Sequence, residues 1–346
     1  MATGRYGAWT EIDLEADGKQ VSSLHVPHAT TRSAYGVVDI PLIVIQNGAG
    51  PTVLLMAGNH GDEYEGQVVL CDLVRQLEPE HIQGRVIIMP AANLPAAMAG
   101  TRMSPLDGGN LNASFPGVYA GNVTEQIAEF VDRTLLPQCD AWLDLHTGGS
   151  SLEYLPFACI HRSEKPALDA KALAALKAFG SALALVWAFQ EERAASSAAH
   201  RHDVVYLYGE FGGAGTVNLD NLPLVRAGVI RCLTHLGVLR NPSKFHIDDP
   251  APKTRFIELP YESYEINRRY YVFSPDAGLF EPFHRLGDEI ETGQDLGRIH
   301  FVDDPMREPA IARFSMSGLM VCKRHSGRVE RGDCLAHLAT DFDPET

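Results

Sequence analysis

The chain has 346 residues, of which 45% are hydrophobic and 21% are charged. This balance is typical of a globular protein with a sizeable core, and the length accommodates two domains. The formal net charge of −15 argues against nucleic acid and anionic membrane surfaces as partners, because both attract clustered Lys and Arg.

The cellular context is indicated by what the sequence lacks. The first 20 residues show no basic start followed by an apolar run, and no stretch approaches the roughly 18–20 apolar residues of a membrane span. Six scattered cysteines form no close CxxC pair, which fits a reducing compartment better than a disulfide framework. We therefore expect a soluble, cytoplasmic protein.

Strands alternate with helices over the first two thirds of the chain. The apolar run at 52–57 predicts a strand that is covered on both faces. Further strands are predicted at 37–45, 85–89, 141–145 and 204–207, and helices at 64–77, 122–136, 166–186 and 222–239. This alternation predicts an α/β fold with a mostly parallel or mixed sheet, whose ligands bind beyond the carboxyl ends of the strands.

The pattern changes near residue 243. From about 245 onward we find short β-rich segments and no good helix, and the stretches 278–299 and 318–338 are loosely alike. They resemble the half-repeats of a small barrel or sandwich of lipoyl-carrier type, but the Lys that carries a swinging cofactor is not evident. We predict a catalytic α/β domain at 1–243 and a C-terminal all-β domain at 244–346, which serves as a scaffold, a lid or an oligomer contact.

The segment at 57–66 contains the first candidate metal ligands. His60 and Glu63 have H-x-x-E spacing, directly after a buried strand and among glycines. An imidazole and a carboxylate at this spacing can reach one cation from a turn that enters a helix, and zinc accepts both ligand types. The spacing alone is a weak signal, since turns often hold a His and a Glu by chance.

A second segment, DLHTGG at 144–149, supplies a third candidate ligand. His146 follows an apolar strand and would complete the set of three protein ligands that a catalytic zinc requires. A lone His is more often a core or surface residue. Asp144 lies on the same face of the strand and can orient a ligand histidine, although a purely structural role explains it equally well.

Three further residues are candidates for catalysis and substrate binding. Glu210, among glycines, can take a proton from water and pass it to a leaving nitrogen. In the turn-rich loop at 101–117, Arg102 can stabilise an oxyanion and Asn112 can hydrogen-bond the substrate. Taken alone, Glu210 and Asn112 are equally well explained as turn residues, and Arg102 as part of a surface ion pair.

The order of these pieces resembles a known family. The chain contains H-x-x-E, an Arg followed by a D-G-G-N-L-N-x-S-F-P-G loop, D-x-H and a late E-x-G-G, in that order. Over about residues 37–240 it is similar to the succinylglutamate desuccinylase and aspartoacylase family of the zinc carboxypeptidase-like superfamily. The strings NHGDEYEG, AGTR-x-SP-x-DGGN-x-N-x-SFPG and E-x-GG-x-GT resemble those of its N-α-acetyl-L-2,4-diaminobutyrate deacetylases.

The resemblance implies a fold and a role for each residue. It implies a zinc-carboxypeptidase-like mixed sheet flanked by helices, with one Zn²⁺ per chain bound by His60, Glu63 and His146. Glu210 would be general base and then general acid, and Arg102 would polarise the scissile carbonyl. Asn112 would lie in the substrate pocket.

The chain departs from the family pattern at one position. The family has Asn-Arg at this point of the loop, and the Arg binds the substrate's carboxylate, whereas this chain has Asn112-Ala113. Ala113 cannot make a bidentate, charge-assisted contact. Either the substrate lacks that carboxylate, or another cation takes over, for which Arg193, His200 and Arg201 are candidates.

We therefore predict a zinc-dependent amidohydrolase that removes the acyl group from a small N-acyl amine or amino acid. Its partner would be a small molecule, and a homo-oligomer is plausible for such a two-domain enzyme. Two alternatives are a metallocarboxypeptidase and a non-catalytic binding protein on the same fold. The missing clamp at Ala113 counts against the first, and the presence of all three ligands and Glu210 counts against the second.

Overall fold

The computed structural model describes residues 7–188, 191–245, 251–260 and 264–344. Within them lie seven α-helices, most of which flank the sheet. They are α1 (Glu65–Gln76), α2 (Leu94–Ala99), α3 (Val123–Phe130), α4 (Pro166–Phe179), α5 (Ala195–Arg201), α6 (Asn221–His235) and α7 (Tyr264–Arg268).

Nine strands come from the first part of the chain and nine from the C-terminal part, counted over the described residues. The first nine are β1 (Gly18–Pro27), β2 (Val37–Asn47), β3 (Thr52–Ala57), β4 (Gly84–Met89), β5 (Ala141–His146), β6 (Leu152–Tyr154), β7 (Phe157–His161), β8 (Leu183–Trp187) and β9 (Val205–Glu210). The others are β10 (Arg255–Leu259), β11 (Tyr271–Phe273), β12 (Gly278–Pro282), β13 (Glu289–Ile290), β14 (Asp295–His300), β15 (Ala310–Arg313), β16 (Gly318–Arg324), β17 (Arg328–Val329) and β18 (Cys334–Asp341).

A mixed sheet forms the centre of the molecule, as predicted. Its strands follow the order β1-β2-β4-β3-β5-β9-β7-β8-β10-β18-β16-β13. The pairs β3/β4, β3/β5 and β5/β9 are parallel, whereas β2/β4 and β7/β9 are antiparallel. The carboxyl ends of β3, β5 and β9 therefore meet at one edge of the sheet.

Both faces of the central strands are buried, because alternate side chains enter two separate cores. On one face, Leu54 and Trp142 join a core that includes Ile127 of α3. On the other face, Leu55 packs in a core to which α1, α4 and α6 contribute, for example through Val229. Burial on both sides explains why β3 is an unbroken apolar run.

The predicted long helix at 166–186 is wrong in its last third. Helix α4 ends at Phe179, and Gly180 follows with φ +70°, the left-handed conformation that commonly ends helices at glycine. The apolar residues 183–187 instead form β8, which pairs in parallel with β7 and β10. Sequence analysis also missed β1 and β7, and the short helix α7 lies in the part where no helix was expected.

The two similar C-terminal stretches have matching strand patterns. The first contains β12, β13 and β14, and the second contains β16, β17 and β18. The short strand of each half pairs with the first strand of the other half: β13 pairs with β16, and β17 pairs with β12. Gly293 and Gly332 occupy equivalent turns with φ +89° and +91°. The halves thus form two interlocked antiparallel layers.

The central sheet continues across the predicted domain boundary at 243/244. Strand β10 pairs in parallel with β8 and antiparallel with β18, and β6 pairs with β16. The C-terminal segment therefore lies directly against the α/β part, and the division into 1–243 and 244–346 stays a prediction. None of the helices in the described ranges is long and apolar enough to cross a bilayer.

Candidate active site

Three of the predicted residues meet at the carboxyl edge of the sheet. His60 and Glu63 lie in the turn between β3 and α1, and His146 is the last residue of β5. His60 Nδ1 lies 2.7 Å from Glu63 Oε1, and His146 Nδ1 lies 2.9 Å from Glu63 Oε2. All three residues are buried, and one ligand atom from each lies within 4.8 Å of the others. The two imidazoles thus direct the same ring atom, Nδ1, toward the Glu63 carboxylate. His60, Glu63 and His146 are called the ligand cluster below.

Close backbone packing fixes the turn that carries His60 and Glu63. A Cβ added at Gly61 would lie 1.9 Å from the carbonyl carbon of Ala96, so only glycine allows the turn to pack against α2. From α1, the Gln67 amide donates to the carbonyls of Glu63 (2.7 Å) and Gly61 (3.2 Å). These contacts hold both side chains on the same side of the turn.

The outer nitrogens of the two histidines each have an acceptor. His60 Nε2 lies 3.0 Å from Asn110 Oδ1, and His146 Nε2 lies 3.0 Å from Asp144 Oδ2. The same Asp144 oxygen accepts hydrogen bonds from Asn59 Nδ2 (3.1 Å) and the Tyr206 hydroxyl (3.0 Å). Acceptors placed in this way fix the imidazole tautomer and leave Nδ1 available to a metal. Sequence analysis proposed this position for Asp144 and missed Asn110.

The loop that carries Asn110 is held in place by hydrogen bonds to the Asp107 carboxylate. Asp107 accepts hydrogen bonds from the Thr124 backbone N–H (2.8 Å), the Thr124 hydroxyl (2.9 Å) and the Gly109 N–H (2.9 Å). The loop is thereby attached to the first turn of α3. A single turn of 3₁₀ helix, Leu111–Ala113, follows and directs Asn112 into the cavity.

The electrostatics of the cluster favour added positive charge. Burial opposes ionisation of Glu63, but the charges of His60 and His146 outweigh it and hold the Glu63 pKa well below its usual range. Burial by itself would lower the pKa of His146, but the negative charges of Asp144 and Glu63 raise this pKa well above its usual value. The carboxylates therefore stabilise a cation among them. Two imidazoles and a carboxylate form a donor set that suits zinc, so the residues present fit the implied metal.

Glu210 is next to this cluster in the sheet. It is the last residue of β9 and the direct register partner of His146 in the parallel ladder. Burial and repulsion from Glu63 raise the pKa of Glu210 to about 8, against the opposing charges of His146 and Arg102. Its Oε2 is buried without a hydrogen-bond partner. Glu210 is therefore a buried carboxyl group beside the ligand cluster, with a pKa close to neutral.

Arg102 lies on the cavity side of the same cluster. Its Nη1 is 3.3 Å from His60 Nδ1 and 3.4 Å from Glu63 Oε1, and the side chain is 53% exposed. The guanidinium thus reaches the cluster from the solvent side. Asn112 and the small Ala113 also line the cavity.

A cavity of about 730 Å³ opens over the cluster. Its lining combines the predicted residues with aromatic side chains from β6, β7, β8, β9 and β11. They are Tyr154, His161, Trp187, Tyr206, Tyr208, Tyr271 and Phe273. The sequence analysis did not identify these aromatic residues as lining the cavity, because they come from five strands and share no local motif.

The cations proposed to replace the missing clamp do not line this cavity. Arg201 pairs with Asp132 at 3.0 Å, and burial lowers the pKa of His200 to about 4. Arg193 is also absent from the lining. Among the described residues, Arg102 and Arg268 are the arginines that line it, and Arg268 comes from α7 in the C-terminal part. None of the three candidates for the missing clamp, Arg193, His200 and Arg201, is therefore among the residues that line the cavity.

Comparison with known proteins agrees with the geometry. Residues 49–236 match the family model for the succinylglutamate desuccinylase/aspartoacylase catalytic domain. The chain is 38% identical over 329 residues to N-alpha-acetyl-L-2,4-diaminobutyric acid deacetylase from Halomonas elongata, which covers 95% of this chain and 93% of that protein.

Solved structures share both sequence and fold with this chain. A succinylglutamate desuccinylase/aspartoacylase from Rhodobacter sphaeroides is 38% identical with a TM-score of 0.88, over 97% of this chain and 99% of that one. The product-bound Ectoine utilization protein EutE (DoeB) from Ruegeria pomeroyi is 36% identical with a TM-score of 0.90, at the same coverage. The likeness therefore spans the C-terminal part as well as the α/β part.

Proposed function

Because this chain belongs to the succinylglutamate desuccinylase/aspartoacylase family and is a hydrolase of amide bonds, we propose that it is a zinc-dependent deacetylase of Nα-acetyl-2,4-diaminobutyrate or a close analogue. The observation that carries the proposal is that Glu210 and the candidate metal ligands His60, Glu63 and His146 line one cavity. A volume of about 730 Å³ suits a small molecule.

His60, Glu63 and His146 would hold one zinc ion per chain. Bound zinc supplies a Lewis acid that polarises a carbonyl and lowers the pKa of water. The protein's contribution is to orient these residues: Asn110 and Asp144 accept hydrogen bonds from the outer imidazole nitrogens, so that Nδ1 of each histidine would be available to the metal.

The chain's own residues move the protons. Glu210 takes a proton from the attacking water, whose oxygen adds to the carbonyl carbon of the substrate. Arg102, beside the ligand cluster, donates hydrogen bonds to the oxyanion that forms. The carbon–nitrogen bond then breaks while Glu210 returns its proton to the leaving nitrogen. The products are acetate and a free amine. Before the reaction, Asn112, which lines the cavity, orients the acyl substrate.

The proposal is tested by metal content and hydrolysis measured together. The purified protein is analysed for bound metal and assayed on Nα-acetyl-2,4-diaminobutyrate before chelation, after chelation and after adding back zinc. We expect about one zinc per chain, loss of turnover on chelation and recovery with zinc. Turnover that survives complete metal removal would overturn the metal assignment, and hydrolysis of peptides in preference to acetylated amino acids would favour a carboxypeptidase.

The remaining sequence predictions stay predictions. They are the cytoplasmic location and the homo-oligomer.

A further inference from the structure

Two charged residues of the cavity have no part in the proposed hydrolysis. The charged residues that line it, within the described ranges, are Glu63, Arg102, Glu191, Glu210 and Arg268. Glu63 belongs to the ligand cluster, and Arg102 and Glu210 lie beside it. Glu191 and Arg268 carry opposite charges, and both line the cavity.

A row of aromatic rings leads across the sheet away from the ligand cluster. The ring centroids of His146 and Tyr208 are 6.2 Å apart, those of Tyr208 and His161 are 5.1 Å apart, and those of His161 and Trp187 are 5.6 Å apart. The last two pairs are stacked, with interplanar angles of 21° and 20°. This order follows from the sheet, in which β5, β9, β7 and β8 are consecutive neighbours.

Glu191 follows Trp187, the last ring of this row, by four residues. Its carbonyl accepts hydrogen bonds from the Ala194 N–H (2.9 Å) and the Ser197 hydroxyl (2.7 Å), which tie its backbone to the start of α5. Aromatic faces attract ammonium groups through their quadrupole, and the Glu191 carboxylate adds a negative charge to the lining of the same cavity. Trp187, His161 and Glu191 therefore suit a cationic group.

Arg268 offers the complementary charge. Its guanidinium carbon lies 4.7 Å from the centroid of the Phe273 ring, and both residues line the cavity. A planar guanidinium stacked on an aromatic ring is suited to bidentate recognition of a carboxylate. Arg268 comes from α7, whereas Ala113, which also lines the cavity, offers no charge.

We propose that Glu191 and the aromatic row ending at Trp187 bind a cationic side chain of the substrate, while Arg268 binds its carboxylate. An N-acyl amino acid whose side chain carries an amine, the substrate of the proposed function, would thus meet an opposite charge at both its amine and its carboxylate. This inference rests on the proposed deacetylase function and adds the residues that select the amine portion.

Four acetylated substrates separate the two charges. They are Nα-acetyl-2,4-diaminobutyrate, Nα-acetyl-2-aminobutyrate (no side-chain amine), N-acetyl-1,3-diaminopropane (no carboxylate) and Nα-acetylaspartate (a second anion). The zinc-loaded wild-type chain should prefer the first, with kcat/KM about ten-fold or more above each of the others, since one lost charged contact is worth at least that much.

Two pairs of adjacent residues supply matched variants. Glu191→Gln should lower kcat/KM about ten-fold for Nα-acetyl-2,4-diaminobutyrate, mainly through KM, and change it less than about two-fold for Nα-acetyl-2-aminobutyrate. Glu192→Gln, which lies outside the cavity lining, should leave both values unchanged. An equal loss on both substrates, or the same loss in Glu192→Gln, would overturn the cationic subsite.

The carboxylate subsite is tested in the same way, by comparing Arg268→Gln with the adjacent variant Arg269→Gln. Arg268→Gln should lower kcat/KM for Nα-acetyl-2,4-diaminobutyrate about ten-fold and leave N-acetyl-1,3-diaminopropane almost unaffected, because that substrate has no carboxylate to lose. Arg269→Gln, outside the lining, is the control. Unchanged kinetics in Arg268→Gln would overturn the carboxylate subsite.

Calorimetry with the free amines distinguishes failure of this inference from failure of the proposed function. If the wild-type chain hydrolyses none of the four substrates, the deacetylase function fails. Binding of 2,4-diaminobutyrate at least about ten-fold tighter than 2-aminobutyrate, with the difference lost in Glu191→Gln, would still support the subsite. Equal binding of the two amines would overturn it even if the deacetylase function holds.

Discussion

His146 and Glu210 are direct partners in the parallel ladder between β5 and β9, and each is the last residue of its strand. The His146 side chain belongs to the ligand cluster and the Glu210 side chain flanks it, because neighbouring parallel strands bring their carboxyl ends to the same edge. The register matters, since a slip of one residue would turn either side chain to the opposite face of the sheet.

Replacing the proton-transferring carboxylate should separate catalysis from metal binding. We expect Glu210→Gln to lower kcat about 10²–10⁴-fold, because the amide can neither accept nor return the proton. Metal content should stay at the wild-type level, since Glu210 is not one of the three ligand residues. Steady-state kinetics and elemental analysis of the same sample check both, with Glu153→Gln, outside the cavity lining, as control. Full activity in Glu210→Gln would rule out its role as base.

The two asparagines of the loop at 101–117 should have different effects. Asn110→Ala removes the acceptor for His60 Nε2 and should weaken metal affinity about ten-fold or more, the usual cost of losing such a contact. Asn112→Ala should raise KM and leave metal affinity unchanged, because Asn112 lines the cavity without contacting the ligand histidines. Competition with a chelator measures the affinities, and equal affinity in the two variants would contradict the assignment of Asn110.

Gly61 should tolerate no side chain. In Gly61→Ala the new Cβ would lie 1.9 Å from the backbone of Ala96, so the turn or α2 must shift, at a cost of about 1–3 kcal/mol. The shift moves His60 and Glu63 together, and metal content should fall with stability. Urea denaturation and elemental analysis measure the two effects. Gly327→Ala is the control, because a Cβ there meets nothing within 4 Å, and equal stability of the two variants would show that the turn has more room.

His337 should make the protein less stable in acid. Burial lowers its pKa to about 3, and both ring nitrogens are buried without a hydrogen-bond partner, between Tyr154 and Tyr271. The unfolded chain binds a proton near pH 6.5 and the folded chain only near pH 3. The contribution of the neutral ring is therefore complete above pH 6.5 and is lost as the pH falls below it.

The corresponding variant should reduce this pH dependence. From pH 7 to pH 5, His337→Leu should lose about 2 kcal/mol less unfolding free energy than the wild-type chain, since each pH unit below 6.5 costs about 1.4 kcal/mol per group. Urea titrations at the two pH values measure the difference, with the exposed His235→Leu as control. The same acid sensitivity in wild type and His337→Leu would show that this histidine is protonated or solvated in the folded state.

The sequence determined the central strands and the candidate ligands, because both depend on local order. The apolar run of β3 needs burial on both faces, and the H-x-x-E spacing places His60 and Glu63 in one turn whatever the rest of the chain does. The sequence failed at residues 183–187, where an apolar segment after an Ala- and Leu-rich helix fits either a helix or a buried strand. Pairing with β7 and β10 decides for the strand.

The tertiary structure alone decided which residues line the cavity. Asn110 meets His60 across 50 residues of chain, and the rings of Tyr208, His161 and Trp187 form one row only because their strands are neighbours in the sheet. Arg268 reaches the cavity because β10 joins the C-terminal segment to the central sheet. Such contacts depend on sheet order and loop packing, which no local spacing encodes. The sequence therefore determined the chemistry of this site, and the fold decided the shape and charge of the space beside it.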